Sequence, residues 1–214
     1  MTLVIAAQGS GFLILGTDSK ETVTNAARNR IELNNQIKLV KINNKVGILM
    51  YGETQIPDYL IEKFKEELSR KNMNVTDIAE NFASFCRNEA RKTYDVRIAR
   101  FPLFGFVIAG LDKKGRKYIP RCFNLESGTG FSLGLYSEKF AIEGKPFLAL
   151  YLFSKKYRQN MSVEELSELV AEAFHDTKKI DGDVGGETKM ARIDETGFIE
   201  YTKEAIDDLV KELD

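Results

Sequence analysis

A chain of 214 residues with 43% hydrophobic and 29% charged residues can bury a substantial core without disulfide or metal staples. Its 31 basic and 32 acidic residues leave a net charge of −1, so no overall field draws it to nucleic acid or to an anionic membrane. Two cysteines without CxxC spacing and a single histidine, His175, argue against a disulfide framework or a zinc site; no cofactor or metal is expected, and a reducing, cytoplasmic setting fits.

Leu3 to Ala7 and Phe12 to Gly16 are apolar runs of strand length joined by Gly9-Ser10-Gly11, and they predict a β-hairpin that starts almost at the first residue. The first run lacks a basic lead and breaks at Gly9, unlike a signal peptide, and no later run reaches the roughly 18 apolar residues of a membrane span. Ser19 to Gln36, rich in Thr, Asn and Arg, reads as an irregular loop crossing one end of a sheet. Ile37 to Ile42 and Val46 to Met50, joined by Asn43-Asn44, predict a second hairpin, with Lys38 on a segment buried on one face.

Apolar residues at helical spacing then predict two helices: from about Asp58, with Leu60, Ile61, Phe64 and Leu68 on one side, and from about Thr76 to Tyr94, with Ile78, Ala79, Phe82, Phe85, Cys86 and Ala90. Phe101 to Leu111, Lys117 to Asn124 and Gly130 to Tyr136 read as strands, the first two separated by a turn at Asp112 to Gly115. A helix from about Pro146 to Tyr157 follows, then one opened by the capping box Ser162-x-x-Glu165, in which His175 is read as a helix-end residue. Thr188 to Ile193 and Phe198 to Tyr201 form a last hairpin, and Lys203 to Leu213 a terminal helix. Antiparallel sheets covered by helices on both outer faces satisfy this order: an α+β fold in one domain over residues 1–214.

Thr2 is the first candidate for chemistry. A free N-terminal threonine carries both a nucleophilic hydroxyl and an α-amine of reference pKa about 7.7–8.0 that can act as its base. Removal of Met1 alone is expected to expose it. On the dipeptide by itself, a chance Met-Thr start is the ordinary explanation. Lys38 on a half-buried strand needs an acidic partner on physical grounds, and Asp18 is a candidate; taken alone, the two would be an ordinary ion pair at a sheet end.

The element order, with Thr2 ahead of it, resembles the β-type subunits of the proteasome and the N-terminal-nucleophile hydrolases, which share a four-layer αββα sandwich. Asp18 in Leu-Gly-Thr-Asp-Ser, Lys38 in Ile-Lys-Leu-Val-Lys-Ile and Gly52 in Gly-Ile-Leu-Met-Tyr-Gly are similar to the family's acid, lysine and oxyanion-hole glycine. Lys179-Ile-Asp181-Gly-Asp-Val184-Gly185-Gly186 resembles its Arg-Asp-x-x-Ser-Gly-Gly segment, which would make Asp181 the auxiliary acid. The chain departs from the pattern where Val184 and Glu143 stand in place of the auxiliary serines. The extra N-terminal helix of α-type subunits is absent, which favours the catalytic type.

The resemblance implies a threonine-type peptidase in which Thr2 forms an acyl-enzyme, Lys38 and Asp18 supply and hold charge, and the Gly52 N–H binds the oxyanion. It also implies a peptide or protein substrate met near Lys20, Glu21 and Met50, and a homo-oligomeric ring. Two alternatives accompany it: an amide ligase or transpeptidase, or a small-amide hydrolase, that keeps the nucleophile; and a non-catalytic scaffold subunit that keeps only the fold.

Overall fold

The computed structural model describes residues 2–24, 30–52, 55–68, 73–93 and 103–211. In chain order they form β1 (Leu3–Gln8), β2 (Leu13–Thr17), β3 (Glu21–Thr24), β4 (Arg30–Leu33), β5 (Leu39–Asn43), β6 (Val46–Gly52), α1 (Gln55–Glu67) and α2 (Val75–Thr93). These are followed by β7 (Phe104–Lys114), β8 (Lys117–Glu126), β9 (Leu133–Leu135), β10 (Phe140–Gly144), α3 (Phe147–Lys156), α4 (Val163–Ile180), β11 (Lys189–Ile193), β12 (Phe198–Glu200) and α5 (Lys203–Val210). One five-stranded sheet has the order β10-β1-β2-β11-β12, the other β5-β6-β7-β8-β9, and every pairing is antiparallel.

Side-chain alternation along β1 generates the layers. Leu3, Ile5 and Ala7 pack with Ala149, Leu152 and Phe153 of α3 and with Leu166, Val170 and Phe174 of α4. Val4 and Ala6 point the other way and meet Leu49, Val107, Ala109 and Cys122 of the second sheet. The far face of that sheet carries Ile48, Met50, Phe106 and Ile108 onto Leu60 and Phe64 of α1 and Ile78 and Phe82 of α2. The result is helix, sheet, sheet, helix. Strands buried on both faces read as unbroken apolar runs, which is why Leu3 to Ala7 shows no polar alternation.

Local signals agree with these layers. Ser162 accepts the Glu165 N–H and the Glu165 carboxylate accepts the Ser162 N–H, so the capping box opens α4. Phe82 holds Phe64 and Phe106 each at a ring-centroid distance of 4.9 Å, which ties α1, α2 and β7 together. No described helix is long and apolar enough to cross a membrane.

The structure corrects the sequence reading in several places. Ser19 to Gln36 contains a two-stranded sheet, β3 with β4, rather than only irregular loop. On β4, Ile31 and Leu33 remain 45% and 44% exposed, so the apolar positions of this strand do not mark a buried face. Strand β10 was unanticipated, since five residues running into Gly-Lys-Pro resemble a turn, yet it pairs with β1 along its length. β7 continues through Lys114, which confines the turn to Gly115 and Arg116. His175 lies within α4 rather than at its end. Residues 25–29, 94, 101–102 and 212–213, which the expected elements included, lie outside the described residues.

Both cysteines are free and buried. Burial pushes the Cys86 thiol well above its ordinary pKa and that of Cys122 up to about 12, although a hydrogen bond involving Gln8 opposes the latter shift. Native protein at neutral pH is therefore expected to leave both thiols unmodified by an alkylating reagent, and denatured protein to take up two equivalents by mass. Rapid alkylation of the native protein would contradict the burial of the inter-sheet layer at Cys122.

Candidate active site

Asp18 is the first residue after β2, and its backbone N–H donates to the Leu3 carbonyl at 3.3 Å, extending the β1–β2 ladder by one bond. Its carboxylate is fully buried and accepts four hydrogen bonds. Oδ1 takes the Leu3 N–H and the Lys38 ammonium, each at 3.1 Å, while Oδ2 takes the N–H groups of Lys20 and Gly185, each at 3.2 Å. A buried carboxylate with so many donors is solvated by the protein in place of water.

Lys38 precedes β5, and its carbonyl accepts the Met50 N–H at 2.9 Å, which fixes the residue against β6. The side chain is as buried as that of Asp18. Its ammonium also donates to the Lys20 carbonyl. Burial pulls the Lys38 pKa below the ordinary lysine value, and the Asp18 carboxylate, with a smaller contribution from Glu21, opposes this. A strongly desolvated ammonium with one carboxylate partner is a concentrated positive charge in a low-dielectric setting.

Thr2 is 2% exposed, and its carbonyl accepts the Lys145 N–H at 2.9 Å. The close approach of β10 requires glycine: Gly144 has φ +87°, and a Cβ there would stand 1.8 Å from the Thr2 carbonyl oxygen. Alternation from Val4 and Ala6 puts Thr2 on the inter-sheet face of its strand. One carboxylate oxygen thus bridges the Lys38 ammonium and the backbone of the residue next to Thr2.

The other sequence candidates fall into three groups. Gly52 ends β6 with φ +88°, where a Cβ would lie 2.4 Å from the Leu103 carbonyl oxygen, so backbone packing by itself demands glycine. Asp181 caps the C-terminal end of α4 and reaches the Lys145 ammonium at 3.4 Å, beside Asp183 at 3.2 Å; it connects to Thr2 through the Lys145 backbone. Of the three residues proposed to meet substrate, Lys20 donates to the Gly182 carbonyl and pairs with Glu32, Glu21 lies half-buried on β3, and Met50 is buried between the second sheet and its helices.

Val184 is buried in the apolar layer beneath α3 and α4, and its N–H donates to the Asp181 carbonyl at 3.1 Å. Gly185, Gly144 and Lys145 were not identified from sequence as parts of this site. The Gly185 N–H supports Asp18 from 167 residues away. Sequence spacing gives no sign of that bond, and Gly144-Lys145 directly before a helix start reads as a turn.

A helix–sheet–sheet–helix body, with a threonine at the head of a central strand and a buried lysine–aspartate pair beside it, has the layered α+β form of the N-terminal-nucleophile hydrolases. Residues 2–193 match the family model described as Proteasome subunit. The chain belongs to the proteasome subunit family, and within it resembles the β type. It is 24% identical over 218 residues to Proteasome subunit beta of Picrophilus torridus, covering 99% of this chain and 95% of that protein. It is 25% identical over 204 residues to Proteasome subunit beta type-9 of Salmo salar, covering 92% and 84% respectively. With Proteasome subunit beta of Thermoplasma acidophilum the identity is 23% over 217 residues, covering 95% of each.

Proposed function

We propose that this chain is a threonine-type peptidase in which Thr2, exposed by removal of Met1, is the nucleophile, and that it works in a homo-oligomeric ring on peptide or protein substrates. The observation that carries the reading is the Asp18 oxygen shared between the Lys38 ammonium and the Leu3 N–H, since it ties a buried cation to the backbone of the residue that follows Thr2. Thr2 Oγ attacks the amide carbonyl while its proton passes to the α-amine. The Lys38 charge favours the developing alkoxide and disfavours premature protonation of the amine. The Gly52 N–H binds the oxyanion, an interaction whose loss typically costs about 10²–10³ in rate. Asp181 acts at one remove, by holding Lys145 and through it the Thr2 carbonyl. Collapse breaks the C–N bond, the leaving amine takes the proton, and water then releases the acyl group.

A second reading, favoured by the buried Val184 side chain, hands the acyl group to another amine instead of water, as in an amide ligase. Adding a peptide amine during turnover and weighing the products separates the two. Ring assembly is supported by α3, whose Phe147 and Tyr151 are 86% and 59% exposed; a monomer by light scattering at micromolar concentration would count against it.

The nucleophile is tested with a peptide epoxyketone, which closes its adduct on both the threonine hydroxyl and the free amine. Processed wild-type protein is expected to gain the mass of one inhibitor. Thr2→Ala protein, and protein that retains Met1, are expected to gain none. A folded, processed wild type that stays unmodified would return the chain to the scaffold reading.

A further inference from the structure

Five polar side chains outside the mechanism above meet between the two sheets. The Tyr136 hydroxyl donates to Glu143 Oε1. The Tyr51 hydroxyl lies 3.0 Å from Asn124 Oδ1 and 2.8 Å from Glu126 Oε1, and Asn124 Nδ2 donates to Glu126 Oε1 at 3.2 Å. Both tyrosines pack against the cluster that contains Val4, Ala6, Leu49 and Ala141. Ala141 and Glu143 share a face of β10, so the Glu143 carboxylate enters the same inter-sheet space.

The β1–β10 register sets its position relative to the nucleophile. Glu143 is opposite Val4, and the Lys145 N–H bond to the Thr2 carbonyl carries the ladder on to Thr2. Thr2 and Glu143 are therefore diagonal cross-strand neighbours on one face, which in antiparallel pairs lie about 7–8 Å apart and within reach of long side chains. Val184, in the apolar layer on the other side of the sheet, has no hydroxyl to offer. On the inter-sheet side, the register brings the Glu143 carboxylate of β10 to the face that Thr2 shares.

The geometry points to Glu143, held by the Tyr136 hydroxyl, as the anion that faces the α-amine of Thr2 and accepts its hydrogen bond. The inference rests on Thr2 being the nucleophile. As the Oγ–carbon bond forms and the carbonyl electron pair moves to oxygen, the Oγ proton moves to the amine. As the C–N bond breaks, that proton leaves with the departing amine. Glu143 stays a carboxylate throughout and stabilises the ammonium between the two steps; it is a positioning group, with Tyr136 behind it.

Among the described residues, Tyr136 bonds Glu143, Tyr51 on β6 and Glu126 on β8 interact with it electrostatically, and Asp18, Lys38 and Lys145 are the charged residues tied to the backbone at Thr2 and Leu3. Burial lifts its carboxyl above the ordinary range, the Tyr136 bond draws it back, and Glu126 adds to the lift. An anion near an amine favours the ammonium, so removing it lowers the amine pKa.

The test titrates the Thr2 amine of processed protein by nitrogen NMR with threonine-selective labelling, in parallel with the pH profile of epoxyketone adduct formation. Glu143→Gln is expected to move both midpoints down by about half a pH unit or more, the scale of one charge at this separation near a protein surface. Glu143→Asp is expected to keep most of the wild-type midpoint. Tyr136→Phe leaves the carboxylate more readily protonated, so it should shift the midpoint in the same direction by less, and it serves should Glu143→Gln not fold. An unchanged midpoint in either folded variant, with the adduct still formed at Thr2, overturns the role of Glu143 and leaves the nucleophile intact. A processed wild type that forms no adduct overturns both.

Discussion

Replacing Lys38 with alanine is expected to slow acyl-enzyme formation at Thr2 by about 10²–10³-fold, the scale of losing one preorganised electrostatic contact to a developing oxyanion. The ammonium is buried with Asp18 and faces no bulk water, so solvent screens its field only weakly. The fold should survive the change. Asp18 would lose one of its donors but keep the N–H groups of Leu3, Lys20 and Gly185, which places the destabilisation at or below the low end of the roughly 3–5 kcal/mol typical for breaking a buried pair. The rate of epoxyketone modification, read by intact mass beside a thermal unfolding curve, measures both quantities. A rate within a few-fold of wild type in the folded variant would remove Lys38 from the mechanism.

Substituting Asp18 with asparagine is expected to do more harm to the fold, at about 3–5 kcal/mol, although the side chain is nearly isosteric. Each carboxylate oxygen faces two donors: Leu3 and Lys38 at one, Lys20 and Gly185 at the other. Whichever way the amide is turned, its NH2 group confronts two donors and accepts from neither. Lys38 then keeps its bond to the Lys20 carbonyl but loses the carboxylate that offsets its burial, and desolvation drives it toward the neutral amine. The charge at the nucleophile disappears with the counterion, so adduct formation should fall at least as far as in Lys38→Ala. Urea unfolding monitors the stability; a variant as stable as wild type would show that the four-donor carboxylate does not organise this end of the sheet.

Much of the architecture was legible because most elements bury a regular face. The heptad-like spacing of Ile78, Ala79, Phe82 and Phe85 marks the side of α2 that meets the second sheet, and Ser162 with Glu165 marks where α4 begins. The unbroken apolar runs of β1 and β6 are those of strands covered on both faces. Where burial was irregular the reading failed: β4 leaves Ile31 and Leu33 exposed, and β10 ends in a Gly-Lys-Pro sequence that resembles a turn.

The site divides along the same line. Thr2, Asp18 and Lys38 were chosen from residue type, order and resemblance, and the structure brings Asp18 and Lys38 into contact across 20 residues of chain and links them to the backbone beside Thr2. By itself the sequence determined which residues are apolar, where turns and caps fall, and hence the layered α+β class, because periodicity records which face of each element avoids water. Only the tertiary structure decided that Gly185 completes the Asp18 carboxylate, that Val184 belongs to a helix-side core, and that Glu143 stands diagonally from Thr2. Those facts depend on which elements close against one another. A pattern of burial along one element carries no record of its partner's identity or register, and both are settled when the two sheets and their helices pack together.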